Sequence, residues 1–353
     1  MAVVAFRKAI LTLEGYTPGE QPKEKGFVKL NTNENPYPPS PKVIAALQEF
    51  LSSSSLALYP PPLSDRVRQK ASAAYGVPED WILVGNGSDE LLDLVVRVFV
   101  GKGDRVVYPV PTYTYYRVLT LLQEGVPCEV PFPEDFSLPE AFVTTLGNLK
   151  FLCNPNSPTG TFVPPESVER VLQASACPVV VDEAYVDFAP ASTLPLLERY
   201  ENLIIVRTLS KSFSLAGLRI GLLFAHPKVI RELLKVKASY NVNILSQVGA
   251  CAALEDLDYV RGNIQRIKKT REWFSQKMQE LGFFVYPSEA NFVLLRKRGV
   301  SLSFLYEELK RRRILVRYFP EWPDALRISI GTDADMELLS KCVEEILREK
   351  SCV

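Results

Sequence analysis

The sequence predicts an α/β protein with a mostly parallel central sheet in a large domain and a smaller α+β domain. Three observations carry this expectation. Short, nearly continuous apolar runs at 105–108, 150–153, 178–181 and 203–206 alternate with segments of helical period such as 88–100 and 165–174. Strands of that kind belong to a parallel sheet covered on both faces. After about Lys228 the pattern changes to long charged helices and short strands. Finally, 353 residues with 47% apolar content suffice for a large core and favour two domains.

Residues 1–45 are rich in Pro, Gly and Asn, centred on Asn31-Thr32-Asn33-Glu34-Asn35-Pro36. They read as an arm that wraps over something. The large domain is expected over 46–250 and the small one over 251–353. Helices are expected at 42–51 and 64–75. Between them, Tyr59-Pro60-Pro61-Pro62 must be extended, because proline fixes φ and excludes helix. Residues 81–84 form a strand. The helix over 88–100 carries Asp89 and Glu90 in its first turn, where the helix dipole favours acids. Strands at 105–108, 150–153, 178–181, 203–206 and 219–225 complete the sheet, with a helix at 165–174. In the second part, helices are expected at 228–237, 256–281 and 335–350. Short strands are expected at 283–286, 292–295, 314–317 and 326–330.

Composition excludes several classes. Lys+Arg and Asp+Glu balance at 41 each, so nothing favours nucleic acid or an anionic membrane, and any anion site is local. Cys128, Cys153, Cys177, Cys251, Cys342 and Cys352 are scattered without a CxxC pair. That fits reduced thiols and a cytoplasmic location. No run reaches 18 apolar residues, and the start lacks the basic and apolar regions of a signal peptide. The single histidine, His226, argues against zinc sites and a Ser-His-Asp triad, and reads as a turn residue. No metal is expected.

Ligands of open α/β sheets sit at the carboxyl ends of strands, and the distinctive residues fall there. Gly85-Asn86-Gly87-Ser88-Asp89-Glu90 can bring a phosphate against a helix N-terminus, although an ordinary strand-to-helix turn looks the same. It matches neither a Walker loop nor GxGxxG, since Glu90 takes the third glycine place. Pro111-Thr112-Tyr113 offers an aromatic face. Asn154-Pro155-Asn156-Ser157-Pro158-Thr159-Gly160 is a polar turn with amides and hydroxyls. Asp182 ends a buried strand and needs a partner, such as a protonated ring nitrogen or a cap. Thr208-Leu209-Ser210-Lys211, with Arg219 beyond, offers hydroxyls and a guanidinium for a phosphate and an amine for a carbonyl. Each is weak alone. Together they supply what pyridoxal phosphate needs: a phosphate cup, a ring stack, an acid and a lysine.

With these residues in view, the chain resembles the fold-type I pyridoxal-phosphate aminotransferases, and among them the histidinol-phosphate aminotransferase branch. The resemblance runs nearly end to end. It includes Asn33-Glu34-Asn35-Pro36, Gly85-Asn86-Gly87-Ser88-Asp89-Glu90, Pro158-Thr159-Gly160, Asp182-Glu183-Ala184-Tyr185 and Ser210-Lys211 with Arg219. Tyr16-Thr17-Pro18-Gly19, Tyr240-Asn241-Val242-Asn243 and Val316-Arg317-Tyr318-Phe319 narrow it to that branch and its near relatives. It implies that Lys211 carries the cofactor and moves the proton, that Asp182 pairs with the ring nitrogen, and that Tyr185 bonds the ring 3-oxygen. Tyr113 would stack on the ring. Gly87, Ser88, Thr208, Ser210 and Arg219 would hold the phosphate. Tyr59 would reach across from a second subunit of a homodimer, in which the arm also takes part. Arg327 would clamp a substrate carboxylate, while Arg317 and Tyr16 would bind the phosphate of histidinol phosphate.

One departure stands out. The branch usually has a second asparagine before Pro-Thr-Gly, which contacts the ring 3-oxygen. Here Ser157 takes that place, leaving the contact to water or to Asn156. A second departure is the short loop between Arg317 and Arg327. The expected activity is transamination of histidinol phosphate with 2-oxoglutarate. Its rivals are an aromatic amino-acid aminotransferase, a phospho-amino-acid decarboxylase and a non-catalytic pyridoxal-binding regulator.

Overall fold

The computed structural model describes residues 4–53 and 56–351; Cys352 lies outside the described residues. Seven strands build the main sheet: β1 Ile82–Asn86, β2 Arg105–Val110, β3 Val126–Pro131, β4 Leu149–Cys153, β5 Val179–Asp182, β6 Leu203–Thr208 and β7 Ile220–Ala225. Their order is β1-β7-β6-β5-β4-β2-β3. Six run in one direction, and β7 alone opposes them, antiparallel to β1 and β6.

β4 to β7 are buried at every position, which explains their mostly apolar sequences. Successive side chains go to opposite faces. Val180 joins the core under helices Ser88–Phe99 and Pro227–Val236. Val179 and Val181 join the core under Asp65–Tyr75, Pro165–Ala174 and Ile244–Leu254.

A second, antiparallel sheet contains β8 Phe284–Val285, β9 Phe292–Arg296, β10 Arg317–Tyr318 and β11 Ala325–Ser329, ordered β10-β11-β9-β8. The two-residue strands Val28–Lys29 and Ile314–Leu315 pair in parallel and tie the arm to this part of the chain.

The expected single strand at 314–317 is therefore two. The chain changes partner at Val316, from the arm to β11. β3 escapes sequence detection because Pro127 and Pro131 interrupt it; as an edge strand it tolerates them. Ile244–Leu254 escapes because it is apolar and buried almost all round, leaving no polar stripe. Tyr115–Leu122 and Ser303–Arg311 are also additional helices.

His226 caps Pro227–Val236, its Nδ1 accepting from the Lys228 amide at 3.3 Å. The five described cysteines are free thiols. Among the described residues no helix is long and apolar enough to cross a membrane, and no group of metal-ligating side chains is assembled.

Candidate active site

The carboxyl ends of β1, β2, β4, β5 and β6 share one edge of the sheet. Because β7 is antiparallel, its beginning lies at the same edge, which delivers Arg219 there. The sequence-predicted residues that follow these strands, from Gly87 and Ser88 to Asp182, Lys211 and Arg219, lie at this edge.

Gly87 caps helix Ser88–Phe99 with φ 84°, the left-handed region glycine favours. A Cβ on Gly87 would run into the Arg219 guanidinium. A Cβ on Gly221 would lie 2.5–2.7 Å from the backbone of Gly87 and Ser88. The turn and β7 thus pack backbone on backbone, beside the unpaired N–H groups of the helix start. Arg219 lies 3.3 Å from Asp89, a half-exposed pair that an incoming anion can displace. Thr208 and Ser210 face each other, Oγ to Oγ, at 2.9 Å. Arg219 and the start of helix Ser88–Phe99 thus lie together, where a guanidinium and free N–H groups favour an anion.

Asp182 is buried at the end of β5. Its Oδ2 accepts from the Tyr116 hydroxyl at 2.8 Å, and its Oδ1 from the Ala184 amide at 3.2 Å. Burial raises its pKa from 3.8 to about 6, against the pull of those two donors. Tyr116 carries no signal in the sequence that would mark it for the site. It stacks on Phe151 with centroids 4.6 Å apart and anchors the acid from below.

Lys211 follows β6. Its Nζ donates to the Thr32 carbonyl at 3.2 Å and stands 5.7 Å from the centre of the Tyr185 ring. Burial, then the positive charge of Arg327, lower its pKa to about 8. A neutral amine is accordingly accessible near physiological pH, as a nucleophile or base requires. Tyr185 receives a bond from Asn33 Nδ2 at 3.0 Å. Burial raises its pKa to about 12. The arm lies directly across the site: Asn35 Nδ2 donates to the carbonyls of Lys211 and Ser212.

In the polar turn both Asn156 and Ser157 have protein partners. Asn156 Nδ2 donates to the Pro111 carbonyl and Thr159 Oγ, while its Oδ1 accepts from Thr112. That leaves its amide no N–H for a ligand. Ser157 Oγ instead accepts from Arg327 Nη1 at 3.1 Å. Arg327 Nη2 donates to the Asn31 carbonyl at 3.0 Å, and its Nε is buried without a partner among the described residues.

Arg317 stands directly opposite Arg327 in the β10–β11 pairing. Like charges at such positions repel. Arg317 leans on the Thr17 and Pro18 carbonyls of the arm. Tyr16 packs edge-on against Tyr113 at 5.5 Å, and the Tyr113 hydroxyl donates to Asp89. Tyr59 stacks on Tyr240 and is 80% exposed, outside the cluster formed by this chain.

Where β5 and β6 end lies a buried ion pair whose pairing no sequence motif announces. Arg207 donates twice to Glu183 at 2.8 and 2.9 Å and covers the Tyr75 ring. Glu183 also accepts from Ser192 and Thr193, so the pair is fully bonded, the condition for tolerating it. In the sequence, Arg207 is only the polar end of an apolar strand.

The Asp182 shift gives a first prediction. A raised folded-state pKa stabilises below the ordinary value, and that contribution is lost as pH rises through about 6. At neutral pH the buried carboxylate therefore costs stability. Asp182→Asn should stabilise the ligand-free protein at pH 7.5 by up to about 3 kcal/mol, read as a raised melting temperature, with the gain shrinking toward pH 5. An unchanged or lower melting temperature at pH 7.5 would show that the acid is not strained there.

The arrangement offers an anion the glycine turn with Arg219, and offers a carbonyl the Lys211 amine. The family profile of aminotransferase class I and II matches residues 25–343. A histidinol-phosphate aminotransferase 1 of Trichormus variabilis is 42% identical over 347 residues, covering 97% of this chain and 99% of its own. The histidinol-phosphate aminotransferase of Rhodopirellula baltica is 42% identical over 348 residues, covering 97% and 96%. Among solved structures, the histidinol-phosphate aminotransferase of Sinorhizobium meliloti, in complex with pyridoxal-5'-phosphate, superposes with a TM-score of 0.90 at 27% identity, covering 99% of each chain.

Proposed function

The chain belongs to the aminotransferase class I and II family, and on that premise we propose that it transfers the amino group of L-histidinol phosphate to 2-oxoglutarate in histidine biosynthesis. The products are imidazole-acetol phosphate and L-glutamate. The cofactor is pyridoxal 5'-phosphate. Bound at this edge, it supplies an aldehyde and an electron-withdrawing ring that labilise the Cα–H bond of an amino donor.

The residues fit that group. Gly87, Ser88, Thr208, Ser210 and Arg219 surround the place for its phosphate. Asp182 is a buried acid with no cation beside it among the described residues, which a protonated ring nitrogen would complete. Tyr113 takes the ring face and Tyr185 the 3-oxygen. Asn156 keeps the polar turn in shape. Lys211 receives the carbonyl and holds the proton that moves during the reaction. The Asp182 carboxylate holds a positive charge on the ring nitrogen.

The observation that carries the substrate reading is the facing pair Arg317 and Arg327. Two guanidiniums placed across from each other, one with an unpartnered buried Nε, suit a site that must take dianions. Arg327 receives the carboxylate of glutamate through its fork, and Ser157 sets the plane of that fork. Arg317 and Tyr16 receive the phosphate of histidinol phosphate.

The site is completed in a homodimer. Leu56, Leu58, Tyr59 and Leu63 form an exposed apolar stretch with Tyr240, suited to a second copy of the chain. Tyr59 then reaches the neighbouring phosphate cradle. Residues 1–45 act as the arm, 46–250 as the cofactor domain and 251–353 as the small domain. The free thiols accord with a cytoplasmic enzyme.

Arg317→Ala should lower kcat/KM for histidinol phosphate at least about tenfold more than for phenylalanine, since a charge-assisted phosphate bond is lost. Steady-state assays with both donors decide this. Equal losses would favour an aromatic amino-acid aminotransferase.

A further inference from the structure

We propose that Asn33 and Ser329 form a lock that makes the Tyr185 hydroxyl a hydrogen-bond donor toward the cofactor, so that both are positioning residues for the reaction. The inference rests on the transaminase reading above.

The proton positions follow from what each group can do. The Asn33 backbone N–H can only donate, and it lies 2.8 Å from Ser329 Oγ. Ser329 Oγ is also 3.0 Å from Asn33 Oδ1. Its own proton therefore goes to Oδ1, which turns the Asn33 amide nitrogen toward Tyr185 Oη at 3.0 Å. Tyr185 accepts that bond. Its O–H proton has no acceptor among the described residues and is left for a ligand.

The opposite amide orientation is disfavoured. It would leave the hydroxyl proton of Ser329, 2% exposed, without an acceptor. The lock is anchored on three elements. Asn291 Nδ2 donates to the Asn33 carbonyl at 3.0 Å, and the Ser329 amide donates to the Leu30 carbonyl at 2.9 Å. Asn33 sits at φ 55°, a left-handed conformation that Asn and Asp tolerate better than other side chains. The charged and titratable groups facing Tyr185 are Lys211, Arg327, Asp182 and Cys153. None of them bonds the hydroxyl.

The decisive variant is Asn33→Asp in the cofactor-loaded enzyme. It keeps the shape and the backbone but replaces the donor by an acceptor, so Tyr185 turns its proton to the introduced carboxylate. The readout is the pH midpoint of the cofactor's visible absorbance. Loss of a donor to the ring 3-oxygen disfavours its anionic form, so the midpoint should rise by about one pH unit or more, as in Tyr185→Phe. Turnover should fall about tenfold or more. Ser329→Thr, which keeps the hydroxyl, should hold the wild-type midpoint, and Ser329→Ala should move it upward. Asn33→Gly, compatible with the left-handed backbone, should also raise the midpoint and covers the case in which Asn33→Asp fails to fold. An unmoved midpoint in the folded Asn33 variants, while Tyr185→Phe shifts it, overturns the lock. A wild-type protein with no visible band after incubation with pyridoxal phosphate overturns the functional reading instead.

Discussion

Replacing Lys211 with alanine should lower transaminase turnover by at least about 10³-fold, because in the proposed mechanism one side chain serves as both attachment point and proton carrier. The loss should be chemical rather than structural. Among the described residues the Lys211 side chain makes one hydrogen bond, to the Thr32 carbonyl. Its pKa of about 8 shows that its surroundings disfavour the charged form. A lowered folded-state pKa means that stability rises with pH between about 8 and the ordinary lysine value near 10.5. Lys211→Ala should remove that slope and leave a folded protein. Its melting temperature in the ligand-free state should match or exceed the parent's below pH 8. Wild-type protein treated with pyridoxal phosphate and borohydride should carry the label on the peptide containing Lys211, and the variant should carry none there. A variant that keeps a tenth of the turnover would remove Lys211 from its assigned role.

Much of this site was legible because its residues sit where strands end. The apolar runs mark β4 to β6, and the polar residues just after them include Asn154, Asp182 and, beyond Arg207, Thr208 and Ser210-Lys211. Position along the chain there equals position at the sheet edge. What stayed hidden depends on contacts between distant segments. Tyr116 meets Asp182 across two strands, and no local pattern distinguishes it from Tyr115. Asn33 meets Tyr185 and Ser329 only when arm, main sheet and second sheet close together. The Glu183–Arg207 pair joins neighbouring strand ends, each of which looks like an ordinary polar boundary. Strand β3 and helix Ile244–Leu254 are invisible for a related reason: an edge position and complete burial each erase the usual periodic signal. Ser157 was visible as a departure, but its partner was not. That partner, Arg327, comes from the second sheet.

Arg327→Ala should reduce kcat/KM for glutamate by about 10²–10³-fold, more than any other change outside the lysine and the acid. The guanidinium is held from two sides, by Ser157 Oγ and the Asn31 carbonyl, and keeps its buried Nε unpaired. An unpaired buried donor is costly, and a carboxylate in the fork repays it with charge-assisted bonds. Arg327→Lys should recover little, since an ammonium cannot make the planar fork or reach both holders. A second consequence separates this residue from a simple binding group. After burial, Arg327 is the largest influence lowering the Lys211 pKa. Removing its charge should raise that pKa from about 8, so less neutral amine is present at pH 7.5. Recombination of pyridoxal phosphate with the ligand-free variant should then be slower at pH 7.5 than in the parent, and its rate profile should move to higher pH. Arg317 faces Arg327 across the strands but is not among the groups that most influence the lysine. Arg317→Ala should therefore leave the recombination profile in place. If both variants moved it equally, the effect would come from general loss of positive charge, and the specific coupling of Arg327 to Lys211 would fall.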